Sequence, residues 1–283
     1  SIRVARRSVS DEGNPQFSDP AGSGYTTVTA NRGVRLDRFF SRRGHIRPFR
    51  AALQVDVHDG SLGDGDTITI VYGDRGQGSP GIRNQSFREE EHIFQVLVDP
   101  FGTGSFEEIE HSPSVKIIGG PACSIDLAAP SLAVAGTPVP VVARALDRYG
   151  NRSDGYRGEV TVTAEGVAKK AYAFKGKDLG AHRFTLTLTE PGLRRITVSD
   201  GRLEAESNPI EVMKRPPEYR LFWGDMHGQT KQTVGTGTLD EYFSFLRDVA
   251  AMDFGGWQGN DFQVTDELWG EVKEATRRYH EPG

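Results

Sequence analysis

Short runs of alternating apolar and polar residues, separated by glycine-rich turns, constrain this chain more than any other feature. The run "AALQVDVHDG" at residues 51–60 has this period-two pattern, and the runs at 64–74 and 92–100 repeat it. Turn segments such as "DGSLGDGD" and "DRGQGSPG" lie between them. Several short strands joined by such turns predict a β-sandwich over residues 1–119.

Residues 120–213 continue the same style with a different sequence. The segment "CSIDLAAPSLAVAGTPVPVVARALDRYGNRSDGYRGEVTVTAEG" reads as three strands with two turns, and "AHRFTLTLTEPGLRRITVSDGRLEAESNPIEV" adds three more. The spacing and the length predict an immunoglobulin-like β-sandwich domain. Because Cys123 is the single cysteine, an internal disulfide is excluded. The absence of a cysteine pair also excludes an antibody-type domain.

A proline-containing linker, "MKRPPEYR", separates this β-region from a segment of different periodicity. Apolar residues recur at helical spacing after Thr238, which with Glu241 forms a capping box. A short strand "DFGGW" follows, and a second helix is predicted to begin after its N-cap, Thr265. The order strand, helix, strand, helix predicts the beginning of a parallel α/β domain at residues 214–283.

Composition and charge limit the partners that we expect. The net charge of −5 is mild, and no apolar run is long enough for a membrane span, so neither nucleic acid nor membrane is expected as a partner. The most basic segment is "FFSRRGHIRPFR", which we interpret as a solvated face or a salt-bridged strand pair, with an anion site as the alternative. The first residues do not resemble a secretory signal, so the compartment stays open, with the cytoplasm favoured.

Polar residues follow both predicted strands of the α/β segment. "LFWGDMHGQT" brings Asp225, His227 and Gln229 to the end of the first strand, and "MDFGGWQGND" brings Asn260 and Asp261 to the end of the second. Active-site groups of such domains gather at the carboxyl ends of strands. Imidazole and carboxylate groups there suit one divalent ion, Zn, Mn or Fe. Structural roles remain open for four of them: a backbone-bonded histidine at His227, a turn cap at Asp225, and ordinary turn residues at Asn260 and Asp261.

The segment at residues 219–272 resembles the start of the PHP-like (polymerase-and-histidinol-phosphatase) superfamily, and within it the domain-of-unknown-function family numbered 3604. The resemblance is carried by "LFWGDMHGQT" and by "GTLDEYFSFLRDVAAMDFGGWQGNDFQVTDELW". It implies a distorted α/β barrel whose metal ions activate water. It also implies that His227 and Asp225 are metal ligands and that Asp261 binds metal or orients water. A catalytic site that uses Asn260 with Asp261 is an altered version that stays open.

Three positions depart from the pattern of this superfamily. Gln229 replaces the second histidine of the pair and is a weaker ligand. Gly259 and Asn260 stand where the superfamily has a ligand aspartate and a histidine. A full multi-metal centre is therefore not assumed. About 65 residues follow the linker, whereas a barrel needs roughly 200. We expect that the remainder of the barrel comes from a longer chain and that this part alone is inactive.

Two main functions and one weaker option follow. The first is the front portion of a metal-dependent hydrolase that acts on a phosphoester or another polar ester or amide, a small-molecule substrate. The alternative is a β-sandwich binding or accessory protein with a degenerate, non-catalytic PHP-like segment. The third is purely architectural, with the sandwiches positioning or dimerising the α/β part. The substrate, the metal and the oligomeric state are not determined by the sequence.

Overall fold

The computed structural model describes residues 1–280, which are mainly β. It divides into two compact units. The first contains Ser1–Ser86 and Glu90–Lys116, and the second contains Phe87–Glu89 and the residues from Ile117 onward. The prediction of three domains, 1–119, 120–213 and 214–283, is not tested by this division, because the second unit contains both the sandwich and the α/β segment.

The first half of the chain contains nine strands within the described residues. They are β1 (Ile2–Arg6), β2 (Thr27–Ala30), β3 (Arg35–Ser41), β4 (Ala51–His58), β5 (Ile68–Val71), β6 (Glu89–Ile93), β7 (Gln95–Val98), β8 (Glu107–Glu108) and β9 (Ser114–Ile117). Five of them form a sheet in the order β3-β4-β1-β7-β8, while β2 pairs with β5 and β6 with β9. The predicted alternation is therefore realised as strands.

Strand β4 lies at the centre of the first unit and is buried on both faces. Its Ala52 packs with Ala5 and Leu97, whereas Leu53 and Val55 belong to a second cluster. The β2–β5 pair contributes Val28, Ile68 and Ile70 to that second cluster, which makes this pair the opposing layer. The apolar residues Leu53 and Val55 alternate with the polar Gln54 and Asp56, as in a sandwich strand whose inner face meets an opposing layer.

The run "HIFQVLVDP" forms two strands rather than the single one that the sequence predicts. The chain leaves its pairing with β9 after Ile93 and pairs with β1 from Gln95 onward. At the break, the Phe94 N–H donates to the Pro113 carbonyl at 2.9 Å. Alternation alone does not reveal such an exchange of partners, because the periodicity continues through it.

The second unit opens with an immunoglobulin-like β-sandwich. Its strands are β10 (Ser124–Ala128), β11 (Leu132–Val134), β12 (Pro138–Leu146), β13 (Glu159–Ala164), β14 (Val167–Ala173), β15 (Ala181–Thr187), β16 (Gly192–Arg194), β17 (Ile196–Ser199), β18 (Glu204–Glu206) and β19 (Ile210–Met213). They form sheets in the orders β10-β12-β15, β11-β19-β16 and β14-β13-β17-β18 around one shared hydrophobic core. The expectation of a mainly β, sandwich-type chain is confirmed.

The α/β segment follows the predicted order of elements. Strand β20 (Gly224–Gly228) is followed by α1 (Leu239–Ser244) and a π-helix (Phe245–Val249), then by β21 (Phe254–Trp257) and α2 (Asp266–Tyr279). The two strands pair in parallel. Short 3₁₀ turns occupy Gly176–Asp178 and Asp261–Gln263. None of the helices among residues 1–280 has the length and apolar content to span a bilayer.

Both predicted helix starts have the expected caps. The Thr238 hydroxyl accepts a hydrogen bond from the Glu241 N–H at 3.1 Å, and the Glu241 carboxylate accepts one from the Thr238 N–H at 2.6 Å. The Thr265 hydroxyl accepts from the Leu268 N–H at 3.2 Å. These side chains satisfy backbone donors that a helix leaves without partners.

The two helices pack on each other through one apolar cluster. It is formed by Leu239, Phe243, Leu268, Val272 and Ala275. Trp269, which the spacing places on this packed side of α2, is instead 49% exposed. It follows Leu268 directly in the helix, so its side chain points about 100° away and covers less of the core.

Candidate functional site

The carboxyl ends of the two parallel strands lie side by side. Gly228, at the end of β20, pairs with Trp257, at the end of β21. The Gln258 N–H donates to the Gly228 carbonyl at 2.8 Å and extends the pairing by one residue. The loops that begin at Gln229 and Gln258 therefore leave the sheet at the same edge, where ligands of α/β proteins usually bind.

Two glycines allow α1 and the π-helix to approach the strands closely. A β-carbon at Gly228 would lie 2.0 Å from Cε2 of Tyr242, and one at Gly255 would lie 2.2 Å from Cδ1 of Leu246. Real β-carbons do not approach other atoms so closely, so both positions require glycine unless the helix moves. The strand-end geometry thus depends on the absence of side chains at these two positions.

Tyr242, on α1, contacts both strands. Its hydroxyl donates to the Gly256 carbonyl at 2.9 Å, while its ring packs against Gly228. Burial, together with the nearby negative charge of Asp225, raises the pKa of the Tyr242 hydroxyl. The sequence pattern identified Tyr242 only as part of the apolar side of a helix. Its ring also borders the cluster between the helices, so the apolar spacing gave no signal for the role of its hydroxyl.

Asp225 and His227 lie on β20, and both are exposed. The Asp225 Oδ1 accepts a hydrogen bond from the backbone N–H of His227 at 2.7 Å. This contact is the turn-capping geometry that short polar side chains adopt locally. The Asp225 carboxylate thus already has a partner within its own strand end.

Gln229 is directed into its own loop. Its Oε1 accepts a hydrogen bond from the Thr233 hydroxyl at 2.9 Å. Gln229 is half-buried and Thr233 is fully buried, so this bond fixes the first turn of the loop. The side-chain oxygen that would serve as a metal ligand is therefore engaged in a structural hydrogen bond.

Asn260 and Asp261 form the start of a 3₁₀ turn after β21. The Asn260 Nδ2 donates to Gln263 Oε1 at 2.9 Å, and Asp261 Oδ1 accepts from the Phe262 N–H at 2.8 Å. Both contacts stay within four residues of sequence. They match the turn role that the sequence left open for these residues, while a catalytic role for them stays a prediction.

Thr230 and Trp257 form a further link between the two strand ends. The indole Nε1 of Trp257 donates to the Thr230 hydroxyl at 2.9 Å, and Thr230 is fully buried. Trp257 also borders the cluster between the helices. Thr230 was not singled out, although a polar residue directly after a strand is a weak signal for such a bond.

The predicted metal ligands do not by themselves form a metal centre. Across residues 1–280, no three histidine, cysteine, aspartate or glutamate side chains are grouped so that they could hold one ion. A resident zinc ion takes three or four such ligands. The residues present therefore do not fit a complete site, and the roles predicted for Asp225, His227, Gln229 and Asp261 stay predictions.

The face of the β20–β21 pair opposite α1 is open. Met226 is 65% exposed and Phe254 is 47% exposed. A β-carbon at Gly256 would lie 3.3 Å from Cε of Met226, and one at Gly224 would lie 2.6 Å from the Phe254 ring, which places both side chains on this face. Parallel sheets are usually covered on both faces, so this apolar face is unusual.

The α/β segment contacts the immunoglobulin-like sandwich through the π-helix. The Arg144 Nη1, on β12, donates to the Val249 carbonyl at 3.4 Å, and the same guanidinium pairs with Asp126 on β10. The Trp223 Nε1 donates to the Ser131 hydroxyl at 3.0 Å. Trp223 is 59% exposed, and its indole reaches across to the sandwich.

The chain has two similar curated sequences from Chlamydia species. No protein-family model matches it. An uncharacterized protein of Chlamydia trachomatis (serovar D) is 24% identical over 272 residues, and one of Chlamydia muridarum is 23% identical. In both cases the alignment covers 90% of this chain but only 41% of the relative. The chain thus spans about two fifths of the length of these curated relatives.

Similar solved structures are remote. The D00-D0 domain of Intimin is 10% identical with a TM-score of 0.31, and the match covers 69% of this chain and 96% of that one. Domains 4 and 5 of the S-layer protein SbsC are 18% identical with a TM-score of 0.26, covering 43% and 66%. The assignment of the fold therefore depends on the sheets and cores described above.

Proposed function

We propose that this chain is a β-sandwich accessory region whose α/β segment has no complete catalytic centre of its own. The observation that carries the proposal is the hydrogen bonding at the strand ends. Asp225, Gln229, Asn260 and Asp261 each bond within their own loop or turn. Such local hydrogen bonds serve the fold, and none of them directs these four side chains toward one shared ion.

The accessory role is supported by the contact between the sandwich and the α/β segment. Arg144 bonds a π-helix carbonyl, and Trp223 bonds Ser131. A sandwich that holds the first helix of an α/β segment in this way acts as its structural support. We further propose that the α/β segment is the opening of a PHP-like domain, on the sequence resemblance and the parallel strand, helix, strand, helix order.

Metal titration of the chain tests this proposal. We expect no stoichiometric binding of Zn²⁺ or Mn²⁺ in calorimetry, and no hydrolysis of p-nitrophenyl phosphate in the presence of either ion. The matched control is His227→Ala, which should behave as the unchanged chain does. One-to-one binding that disappears in His227→Ala, while Thr276→Ala retains it, would contradict the proposal.

A second function is favoured by one observation, the adjacency of the two strand ends. Gly228 beside Trp257 brings the end of β20, which carries His227, and the loop that carries Asp261 to one edge of the sheet. In a longer protein that adds further ligands at this edge, the same residues would contribute to a metal-dependent hydrolase. Its substrate would be a phosphoester or another polar ester or amide.

This second function has its own test. In a longer protein that includes this chain, His227→Ala should reduce bound metal and hydrolase activity together. Thr276→Ala, on α2, is the control and should leave both unchanged. Retention of metal and activity in His227→Ala would remove the hydrolase proposal and leave the accessory role as it stands.

A further inference from the structure

The loop between β3 and β4, residues 42–50, concentrates positive charge on a chain whose net charge is negative. We call these residues the basic loop. From Arg38 to Arg50 the sequence contains five arginines and no acidic residue. The arginines are Arg38, Arg42, Arg43, Arg47 and Arg50. Strand β3 is an edge strand of the five-stranded sheet, so the loop projects from one side of the first unit.

The arginines of the basic loop are not neutralised by the protein. Arg42 donates from Nε to Asn14 Oδ1 at 3.1 Å, a neutral partner. Among residues 1–280, no ion pair joins Arg42, Arg43, Arg47 or Arg50 to a carboxylate. By contrast, Arg35 on the preceding strand is paired with both Asp37 and Asp59. Arg35 lies outside the basic segment 39–50, so its ion pairs do not bear on the salt-bridged strand pair that was one expectation for that segment.

An apolar side chain stands at the tip of the basic loop. Ile46 is 73% exposed and lies between Arg43 and Arg47, which are also exposed. Three residues further on, Phe49 packs against the core cluster of Ala5, Ala52 and Leu97. The exposed Ile46 and the partly buried Phe49 show that the loop is attached to the core at one end while its middle faces the surroundings.

Backbone hydrogen bonds hold the basic loop in place. The His45 N–H donates to the Arg50 carbonyl at 3.1 Å, and the Ser8 N–H donates to the Pro48 carbonyl at 2.8 Å. Burial and the neighbouring Arg3 lower the pKa of His45, although Glu108 acts in the opposite direction. The positive charge of the loop is thus supplied by arginines, which stay charged at all physiological pH values.

We propose that the basic loop is a docking surface for an anionic lipid bilayer, with Ile46 entering the interface and the surrounding arginines contacting lipid phosphate and carboxylate groups. Clusters of four to eight basic residues attract anionic membranes, and an apolar side chain inserted among them adds hydrophobic energy. This proposal departs from the sequence-based expectation of no membrane partner, which rested on the lack of a run long enough to span a bilayer, because this surface would bind peripherally. The proposal is independent of the function of the α/β segment.

A lipid surface fits these observations better than a soluble polyanion. A nucleic acid or an acidic polysaccharide would be recognised by the charges alone or by stacking on aromatic rings. An exposed aliphatic side chain between two arginines would not strengthen the binding of either polyanion. A bilayer interface accommodates both groups at once, because the headgroups take the charges and the acyl region takes the apolar tip.

Vesicle co-sedimentation of the full chain tests the proposal. We expect binding to vesicles of phosphatidylcholine mixed with phosphatidylserine, no binding to phosphatidylcholine alone, and weaker binding at high salt. Each arginine near the membrane contributes about fivefold to binding. Arg43→Glu/Arg47→Glu removes two of them and adds two negative charges, so it should weaken binding by about thirtyfold or more. Ile46→Ser should weaken it by about tenfold, since the buried aliphatic contact is lost.

Matched variants separate the loop from general effects. Arg75→Glu/Lys169→Glu changes the net charge by the same amount at exposed positions elsewhere, and Phe101→Ser removes a side chain that is 87% exposed. Both should bind vesicles as the unchanged chain does. Circular dichroism melting verifies that all variants are folded, as expected for exposed substitutions.

Three results would overturn the proposal. The first is equal binding of the unchanged chain to both kinds of vesicle. The second is an equal loss of vesicle binding in the loop variants and in the matched variants. The third is binding to heparin that Arg43→Glu/Arg47→Glu abolishes, with no binding of the unchanged chain to phosphatidylserine vesicles. That last outcome would identify the loop as a site for soluble polyanions.

Discussion

The hydroxyl of Tyr242 donates a hydrogen bond to the carbonyl of Gly256 at 2.9 Å, so a residue of the first helix is bonded directly to the second strand. The same ring occupies the space that a side chain at Gly228 would need. One aromatic side chain therefore determines the spacing between both strands and the helix that connects them. The order of the strand-end loops depends on this contact.

Gly228→Ala should destabilise the α/β segment, because the added methyl group overlaps the Tyr242 ring. We expect a loss of about 1–3 kcal/mol in the free energy of unfolding. Urea denaturation followed by tryptophan fluorescence measures it. If Tyr242 is the cause, Gly228→Ala/Tyr242→Ala should cost less than the sum of the two single changes.

The matched control for this change is Gly270→Ala. Gly270 lies inside α2, and no atom lies within 4 Å of the position where its β-carbon would be. Alanine there should stabilise the helix by about 0.5–1 kcal/mol, because glycine loses more backbone entropy on folding. Equal effects of the two substitutions would show that the contact between Gly228 and Tyr242 is not formed.

Thr230→Val should remove the hydrogen-bond partner of the Trp257 indole while it preserves the shape of the side chain. The half-buried indole donor then loses its acceptor, at a cost of about 1 kcal/mol. The emission maximum of tryptophan should also shift. Thr230→Ser retains the hydroxyl and should preserve the spectrum, so an identical shift in both variants would argue against the bond.

Glu12→Leu should strongly destabilise the first unit. Glu12 Oε1 lies 2.5 Å from Nη1 of Arg6, and the two side chains are 8% and 4% exposed. A buried guanidinium that loses its carboxylate costs about 3–5 kcal/mol, whereas Arg6→Met/Glu12→Leu should cost less than Glu12→Leu alone. Circular dichroism in urea measures both, because the first unit contains no tryptophan.

The exposed pair of Arg35 and Asp59 provides the comparison for the buried pair. Its side chains are 56% and 74% exposed at a distance of 3.0 Å. Solvent screens such pairs, so Arg35→Gln should change the free energy of unfolding by at most about 1 kcal/mol. A similar cost for Arg35→Gln and Glu12→Leu would mean that Arg6 and Glu12 are hydrated in solution.

Because of Asp147, the free energy of unfolding should decrease at acidic pH. Burial raises its pKa, but hydrogen bonds from the Gly120 N–H, the Asn151 side chain and the Tyr149 N–H outweigh burial, so the pKa is lowered from 3.8. A lowered pKa contributes stability above pH 3.8, and that contribution is lost as the pH falls through the folded-state value.

Replacing Asp147 tests this dependence. Asp147→Asn should lower the free energy of unfolding by about 2 kcal/mol at neutral pH, because the loop amides lose a charged acceptor. When the pH is lowered through the acid range, the free energy of unfolding of Asp147→Asn should decrease less than that of the unchanged chain. The exposed Asp64→Asn serves as control. Parallel pH profiles for Asp147→Asn and the unchanged chain would contradict this account.

Much of the fold follows from local sequence signals. Alternation predicted β4 and β5, and the capping residues Thr238 and Thr265 predicted both helix starts, because these signals act over a few residues. The π-helix after α1 was not predictable, since an apolar spacing suits both helical forms. Its position follows from contacts with the sandwich, where Arg144 bonds the last carbonyl of the π-helix.

The candidate site was less accessible to sequence reasoning. The order of elements predicted that two strand ends would be neighbours, and the pairing of Gly228 with Trp257 agrees with this. The bond between Gln229 and Thr233 depends on how the loop folds back, which residue types alone do not specify. The role of Tyr242 was not predicted, because its ring fits the apolar pattern of the helix and the bond from its hydroxyl to Gly256 has no local sequence signal.

All three tryptophans of the chain, Trp223, Trp257 and Trp269, lie in the α/β segment, and each has a different environment. Trp257 is bonded to Thr230, Trp223 reaches the sandwich, and Trp269 faces solvent. Intrinsic fluorescence is therefore a built-in reporter of this segment alone. Circular dichroism, by contrast, is dominated by the strands. A comparison of the two melting curves would reveal whether the α/β segment unfolds before the sandwiches that precede it.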